Sequence, residues 1–167
     1  MNKIIEINDA DIGFRLNKSA VYGKWRKAAR AVLMKGKLIA LMHVSNKSYY
    51  KLPGGGLEKG EDIEEALIRE IKEETGCSIG KINVIGETIE YRSQQPMKQI
   101  SYCFMADVVS QGASNLEKGE VEDGFKLIWV KSQDAVKLLK NSKPKAYNGK
   151  FIIKRDLAIV VKALSFL

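Results

Sequence analysis

Residues 55–77 read GGLEKGEDIEEALIREIKEETGC. Eight acidic residues fall between Glu58 and Glu74, and from Glu61 to Thr75 the pattern is helical. Glu61 and Asp62 suit the positive end of a helix dipole, and Gly76 is placed to close the C-terminus. On a wheel of about 100° per residue with Ile63 at zero, Ala66, Leu67 and Ile71 lie within roughly 80° and define the buried face. Glu70 and Glu74 fall on the same arc at about −20° and +20°, and Glu73 at its rim at about −80°. Glu61, Glu65, Arg69 and Lys72 fall on the other side, together with Ile68, which the wheel does not explain.

A solvated face accounts for Glu61, Glu64 and Glu65, but it fails for Glu70 and Glu74. Like charges four residues apart cost only about 0.2–0.5 kcal/mol on an exposed helix. Desolvating them costs several kcal/mol per ion unless a partner is present. An inward carboxylate cluster therefore needs a cation, and its hard oxygen donors are those that Mg²⁺ or Mn²⁺ prefers. Arg69, about a quarter-turn away, can fold across to orient one carboxylate.

Outward from this helix, the chain alternates between strand and turn signals. Lys3–Ile7 reads as a short opening strand. Arg26–Met34 and Leu38–Val44, joined by Lys35-Gly36-Lys37, read as a β-hairpin. Tyr49–Leu52 is a shorter strand that stops at Pro53, and Gly54, Gly55 and Gly56 mark a loop. Beyond the helix, Lys81–Tyr91 and Gln99–Val109 read as strands around the loop RSQQPMK. Ser110–Gly124 is polar and reads as a long loop, followed by a strand at Phe125–Val130. A short helix at Gln133–Leu139 and an amphipathic helix at Phe151–Phe166 complete the chain. The expected architecture is one α/β domain over residues 1–167, a mainly antiparallel or mixed sheet between helices.

Composition sets the outer bounds. A chain of 167 residues, 45% hydrophobic and 29% charged, can bury a core of its own. The net charge of +8 suits an anionic partner and equally a lysine-rich surface. The basic residues of Lys137–Arg155 are scattered among apolar ones, so no stable nucleic-acid partner is expected. The N-terminus lacks a secretory pattern, and no segment reaches the roughly 18 apolar residues of a membrane helix. Cys77 and Cys103 have neither metal-ligand spacing nor disulfide-scaffold density, which fits reduced thiols in a cytoplasmic protein.

The spacing of the acidic helix resembles a known motif. Gly55, five residues, Glu61, seven residues, then Arg69-Glu70-Ile71-Lys72-Glu73-Glu74-Thr75-Gly76-Cys77 is similar to the Nudix box, with all seven fixed identities in place. Cys77 stands where that family usually has Ile, Leu or Val, a substitution a small apolar side chain tolerates. Leu52-Pro53-Gly54-Gly55 also resembles the family's lead-in. The resemblance implies a MutT-like α/β/α sandwich that hydrolyses a nucleoside diphosphate linked to another group, with Mg²⁺ or Mn²⁺. By the same resemblance, Glu70, Glu73 and Glu74 match metal ligands, and Arg69 matches the arginine that positions a catalytic glutamate. Gly55 and Glu61 match supporting positions, Gly55 within the metal set. A base could be Glu70, or Glu120 or Glu122 from the acidic loop before the strand of Trp129.

For the remainder of a substrate, Arg26 and Arg30 share one face of a strand with Ala28 and Val32. They are phosphate candidates, as is Arg92. Tyr49 and Tyr91 border the expected site and offer aromatic faces, while Trp25 and Trp129 could equally be core. Asn148 stands where some relatives read a purine edge. His43 in an apolar strand and Cys103 are expected to be structural. Relatives acting on ADP-ribose often carry a Pro about 15 residues after the box; here Tyr91 and Arg92 fall at that distance. That counts against ADP-ribose, while relatives acting on dinucleoside polyphosphates carry a Tyr at a similar distance. The small size and the lack of an N-terminal dimerisation domain favour a mononucleotide such as an ordinary or oxidised purine (d)NTP, cleaved to monophosphate and pyrophosphate. ADP-ribose, a dinucleoside polyphosphate, the 5′ end of an RNA, or nucleotide sensing without cleavage stand as alternatives. Monomer and homodimer are both compatible with the sequence.

Overall fold

A run of seven buried residues, Ala28–Met34, sits at the centre of the fold. It belongs to β2 (Lys24–Lys35), whose alternate side chains serve two different cores. Ala29, Ala31 and Leu33 pack with Ala66, Leu67 and Ile71 of α1 (Ile63–Thr75). Val32 and Met34 point the other way, toward α3 (Ser132–Asn141) and α4 (Tyr147–Leu164), where Leu139, Ile159 and Val160 fill the opposite core. The period-2 alternation of a strand buried on both faces thus produces the helix–sheet–helix layering. The computed structural model describes residues 1–167.

The sheet order is β1 (Lys3–Ile7), β5 (Cys77–Arg92), β6 (Met97–Gln111), β2, β3 (Leu38–Val44) and β4 (Tyr49–Lys51), with β7 (Phe125–Lys131) paired to β3. The mixed α/β sheet expected from sequence is present. The hairpin of β2 and β3 is real but short, with only Met34↔Ile39 and Lys35↔Leu38 in register. Beyond those pairs the two strands part. β2 runs parallel to β6 from Lys24↔Met97 to Met34↔Asp107, and β3 pairs antiparallel with all of β7.

The glycine-rich segment enters the gap. Ala31 N–H donates to the Pro53 carbonyl at 3.1 Å, Ala29 N–H to the Gly55 carbonyl at 2.9 Å, and Leu57 N–H to the Lys27 carbonyl at 3.1 Å. The loop therefore lies against β2 as a short extra strand. Gly54 has φ +125°, and a Cβ there would meet the Ala29 carbonyl oxygen at 2.2 Å, so only glycine fits.

Several boundaries move from their expected places. α1 starts at Ile63 because Asp62 is its N-cap, accepting from the N–H groups of Glu64 and Glu65 in a capping box. Gly76 closes the helix in the left-handed conformation, as expected. β5 and β6 are longer than expected, leaving a loop of only Ser93–Pro96. The polar stretch after β6 contains a helical turn, α2 (Lys118–Glu122). α4 begins at Tyr147, so Asn148 lies in its first turn. No helix is long and apolar enough to cross a membrane.

Candidate active site

The C-terminal turns of α1, the loop Gly54–Gly56, β2, the end of β4 and α2 enclose a hollow of about 190 Å³ with no apolar lining. Five carboxylates reach it: Glu70, Glu73 and Glu74 from α1, and Glu117 and Glu120 from the edge of α2. Three cations face them, Arg26 and Arg30 from β2 and Lys51 from β4. Within the helix, Glu74 is buried with Ala66, Leu67 and Ile71, Glu70 and Glu73 are half-buried, and Glu64 and Glu65 are exposed.

Arg69 organises one side. Its Nε donates to Glu61 at 2.8 Å and its Nη2 to Glu61 at 3.0 Å and to the Gly56 carbonyl at 3.1 Å. Its Nη1 donates to Glu70 at 3.1 Å and Glu73 at 3.0 Å. Hydrogen bonds to Glu61 above all raise the Arg69 pKa, and the same contact lowers that of Glu61. The solvent-facing placement of Glu61 is thus corrected. Glu61 lies before the helix rather than in it, so the wheel did not apply, and its side chain folds back onto Arg69.

Glu74 is held on the other side. It accepts from Lys51 Nζ at 2.6 Å and from Gly54 N–H at 2.7 Å. Lys51 was not singled out from the sequence. It lies 23 positions from Glu74, and a lysine in a short strand carries no signal of such a partner. In this arrangement the carboxylates do not form a cluster of three ligating groups, because Arg69 and Lys51 stand among them.

The donor set nevertheless fits a divalent ion. Its donors are hard carboxylate oxygens. Burial, and then the neighbouring Glu74, push the Glu70 carboxyl above the usual range. Burial also pushes Glu120 up to about 7, with Glu74 adding to the rise. Both shifts show that burial, with Glu74 adding to it, penalises the ionised carboxylates, a penalty that a bound cation would offset. Gly55 supports the geometry through its size: a Cβ there would meet the Glu70 carboxylate at 2.2 Å. Its carbonyl is engaged by Ala29 N–H.

Arg30 is the most unusual group in the hollow. It is 5% exposed, its Nε has no hydrogen-bond partner, and its one bond is a 3.5 Å contact to the Ala29 carbonyl. Burial and then Arg155 pull its pKa down to about 10. Arg26 is freer, donating to Gln99 at 3.2 Å beside Gly56.

Other sequence candidates separate from this hollow. Glu122 is exposed and lies 3.9 Å from Lys118, on the side of α2 away from Glu74. Two residues turn a helix by about 200°, so Glu120 and Glu122 cannot share a face. Glu117 reaches the hollow instead. Tyr49 is 6% exposed, packed near Gly149, and offers no open ring. Arg92 ends β5 rather than lying in a loop, and it is buried against Glu90. Asn148 is already engaged, accepting from Arg92 at 3.2 Å and donating to Gln95 at 3.3 Å. Tyr91 lies on the α1 face, opposite Arg92 and Asn148, where it sits under Lys98 outside the hollow. His43 stacks on Tyr50 with ring centroids 4.5 Å apart, and Cys103 is core.

Residues 24–150 match the family model described as NUDIX domain. Among curated proteins, the ADP-ribose pyrophosphatase of Bacillus subtilis is 31% identical over 117 residues, 68% of this chain and 62% of its own length. The ADP-ribose pyrophosphatase of Methanocaldococcus jannaschii is 36% identical over 98 residues, 56% of this chain and 57% of its own. The RNA pyrophosphohydrolase of Dinoroseobacter shibae is 43% identical over 42 residues, 25% of this chain and 26% of its own. The chain thus spans less than two-thirds of the length of these relatives. Among solved structures, a NUDIX hydrolase from Nitrosomonas europaea superposes with a TM-score of 0.58 at 21% identity, covering 79% of this chain and 89% of that one. A MutT protein from Bacillus halodurans gives 0.57 at 22% identity, covering 77% and 80%.

Proposed function

The chain belongs to the NUDIX family, and from that premise we propose that it hydrolyses the diphosphate linkage of a nucleoside triphosphate or a derivative, with Mg²⁺ or Mn²⁺, releasing the monophosphate and pyrophosphate. One observation carries the reading. Glu70, Glu73, Glu74 and Glu120 share a small polar hollow with a buried guanidinium, Arg30, that has no carboxylate partner. Acidic groups that want a cation and a cation that wants an anion, side by side, suit a metal-bound diphosphate.

In this reading Glu70, Glu73 and Glu74 hold the ion, with Gly55 shaping the space. A bound divalent ion supplies charge neutralisation and a more acidic water. Arg30 and Arg26 bind phosphate oxygens through charge-assisted hydrogen bonds. Arg69 fixes the rotamers of Glu70 and Glu73. Glu120, with a pKa near neutrality, accepts the proton of the attacking water. Both thiols are free and buried, which suits the reducing cytoplasm we propose as its compartment.

A second reading is ADP-ribose as substrate, favoured by the names of two relatives. A panel of (d)NTPs, oxidised purine nucleotides, ADP-ribose, dinucleoside polyphosphates and 5′-triphosphorylated RNA, scored by product identity, separates these. Mg²⁺-dependent pyrophosphate release from a triphosphate is the expected result. AMP with ribose 5-phosphate selects the second reading. Nucleotide binding with no turnover of any compound under Mg²⁺ or Mn²⁺ contradicts both.

A further inference from the structure

Trp25 is the bulkiest of the chain's exposed apolar side chains. It is 67% exposed at the second residue of the central strand, and it joins neither core cluster. Trp129, by contrast, packs against the α1-side core. Trp25 pairs across the sheet with Lys98, which pairs in turn with Tyr91, so the three share one row. The Lys98 ammonium lies 4.2 Å from the indole centroid and 5.4 Å from the Tyr91 ring. Tyr22 braces the far side of Tyr91, edge-on at 5.3 Å. The row reads aromatic, cation, aromatic across three strands, and Trp25 as a residue remains exposed.

A hollow of about 530 Å³ opens beside this row, lined among others by Lys24, Trp25, Lys27, Leu57, Glu58 and Ile100. Arg26 lines both this hollow and the carboxylate hollow, so the two adjoin. Glu58 belongs to the segment that leads into α1, and it lies 3.9 Å from Arg69. Lys24, Arg26 and Lys27 line the hollow with Glu58 and Glu61, and Lys98 lies over the indole, so an exposed apolar plane sits where cations outnumber carboxylates. That combination is matched by a nucleotide, whose base has two apolar faces and whose phosphates are anionic.

We propose that Trp25 is the platform on which the substrate's nucleobase stacks, with Lys24, Lys27 and Lys98 drawing in the attached phosphate and Arg26 joining it to the reaction hollow. This rests on the hydrolase reading given above. It places the base on the α1 face of the sheet. The side near α4 is already filled, since Asn148, Arg92, Glu90 and Gln95 satisfy one another. An indole can stack on any base, so this seat confers affinity for nucleotides without selecting strongly among bases.

The test is tryptophan emission of the full-length protein, titrated without metal. AMP and GMP should quench it, whereas ribose 5-phosphate, the same anion without a base, should not. Trp25→Phe should abolish the quench, and Trp129→Phe should keep it. In turnover, Trp25→Ala should raise KM by about tenfold with kcat within about twofold, and Trp25→Phe should restore most of the loss. A quench that survives Trp25→Phe, or that ribose 5-phosphate reproduces, overturns the proposal. So does an emission that follows protein concentration instead of nucleotide, which would make this face a contact between copies. Hydrolysis of a nucleotide with no quench removes the base seat and leaves the hydrolase. A Trp25-dependent quench with no hydrolysis keeps the base seat and removes the hydrolase.

Discussion

Arg30 is a guanidinium held inside the protein with no carboxylate partner. Such a group costs folding free energy and is retained where an anion completes it. Arg30→Met should therefore stabilise the free protein by about 1–2 kcal/mol, read as a higher denaturation midpoint, because it removes an uncompensated buried charge. The same change should raise KM for a diphosphate by about 10- to 100-fold, since a charge-assisted bond to phosphate is lost. Lower stability together with unchanged KM would show that Arg30 is structural. The sequence placed Arg30 on the same strand face as Arg26 through simple alternation. It could not show that Arg30 lacks a partner, because that depends on where Arg155 and Asp156 of α4 point. Arg155 donates to Asp156 and Glu90, and neither carboxylate reaches Arg30. Lys51 was hidden for the same reason: its pairing with Glu74 exists only once β4 has been laid beside α1.

At the scale of elements, α1 was legible because its 3.6-residue period and its glycine stop are local signals. Its start was misplaced by two residues because Asp62 reads equally well as a first-turn acid or as a cap. That shift is what hid the role of Glu61. The parallel pairing of β2 with β6 was not legible, since it joins residues 73 apart, such as Arg26 and Gln99, with no local motif. The start of α4 is tied to the Asp9–Ile12 turn by a hydrogen bond from the Tyr147 hydroxyl to Asp9, which also shows in the pKa. Burial and then the Asp9 carboxylate push the Tyr147 phenol up to about 12. The folded value is above the unfolded value of about 10, so this stabilisation is fully present below about pH 10. It is lost as pH rises through about 12. Tyr147→Phe should therefore destabilise the protein at pH 8 and flatten its stability profile between about pH 10 and 12, measured by urea unfolding across that range. An unchanged profile in the variant would mean that the contact carries no stability.

At the scale of the molecule, the two faces of the sheet do different work. The α1 face carries an apolar core and the turns that we propose as catalytic, and the α4 face carries a buried ionic network. Glu90 accepts from Arg92 and from Arg155, Arg155 donates to Asp156, and Asp156 accepts from the Leu52 N–H at 2.7 Å. The network fastens α4 to the strand that leads into the glycine loop. Glu90→Gln should cost about 3–5 kcal/mol of unfolding free energy by leaving two guanidinium groups under-compensated. A loss below about 1 kcal/mol would show that the network relaxes around the change. None of this was visible in the sequence, where Glu90 and Arg155 read as ordinary charges in a strand and a helix. The acidic helix was visible because Glu70 and Glu74 fall on the arc that must be buried. The most direct test of its proposed role is Mg²⁺-dependent hydrolysis by Glu73→Gln, with circular dichroism confirming the fold. We expect at least about a hundredfold loss in kcat with unfolding stability nearly unchanged. Full activity in this variant would contradict the assignment of the α1 carboxylates as the reaction centre.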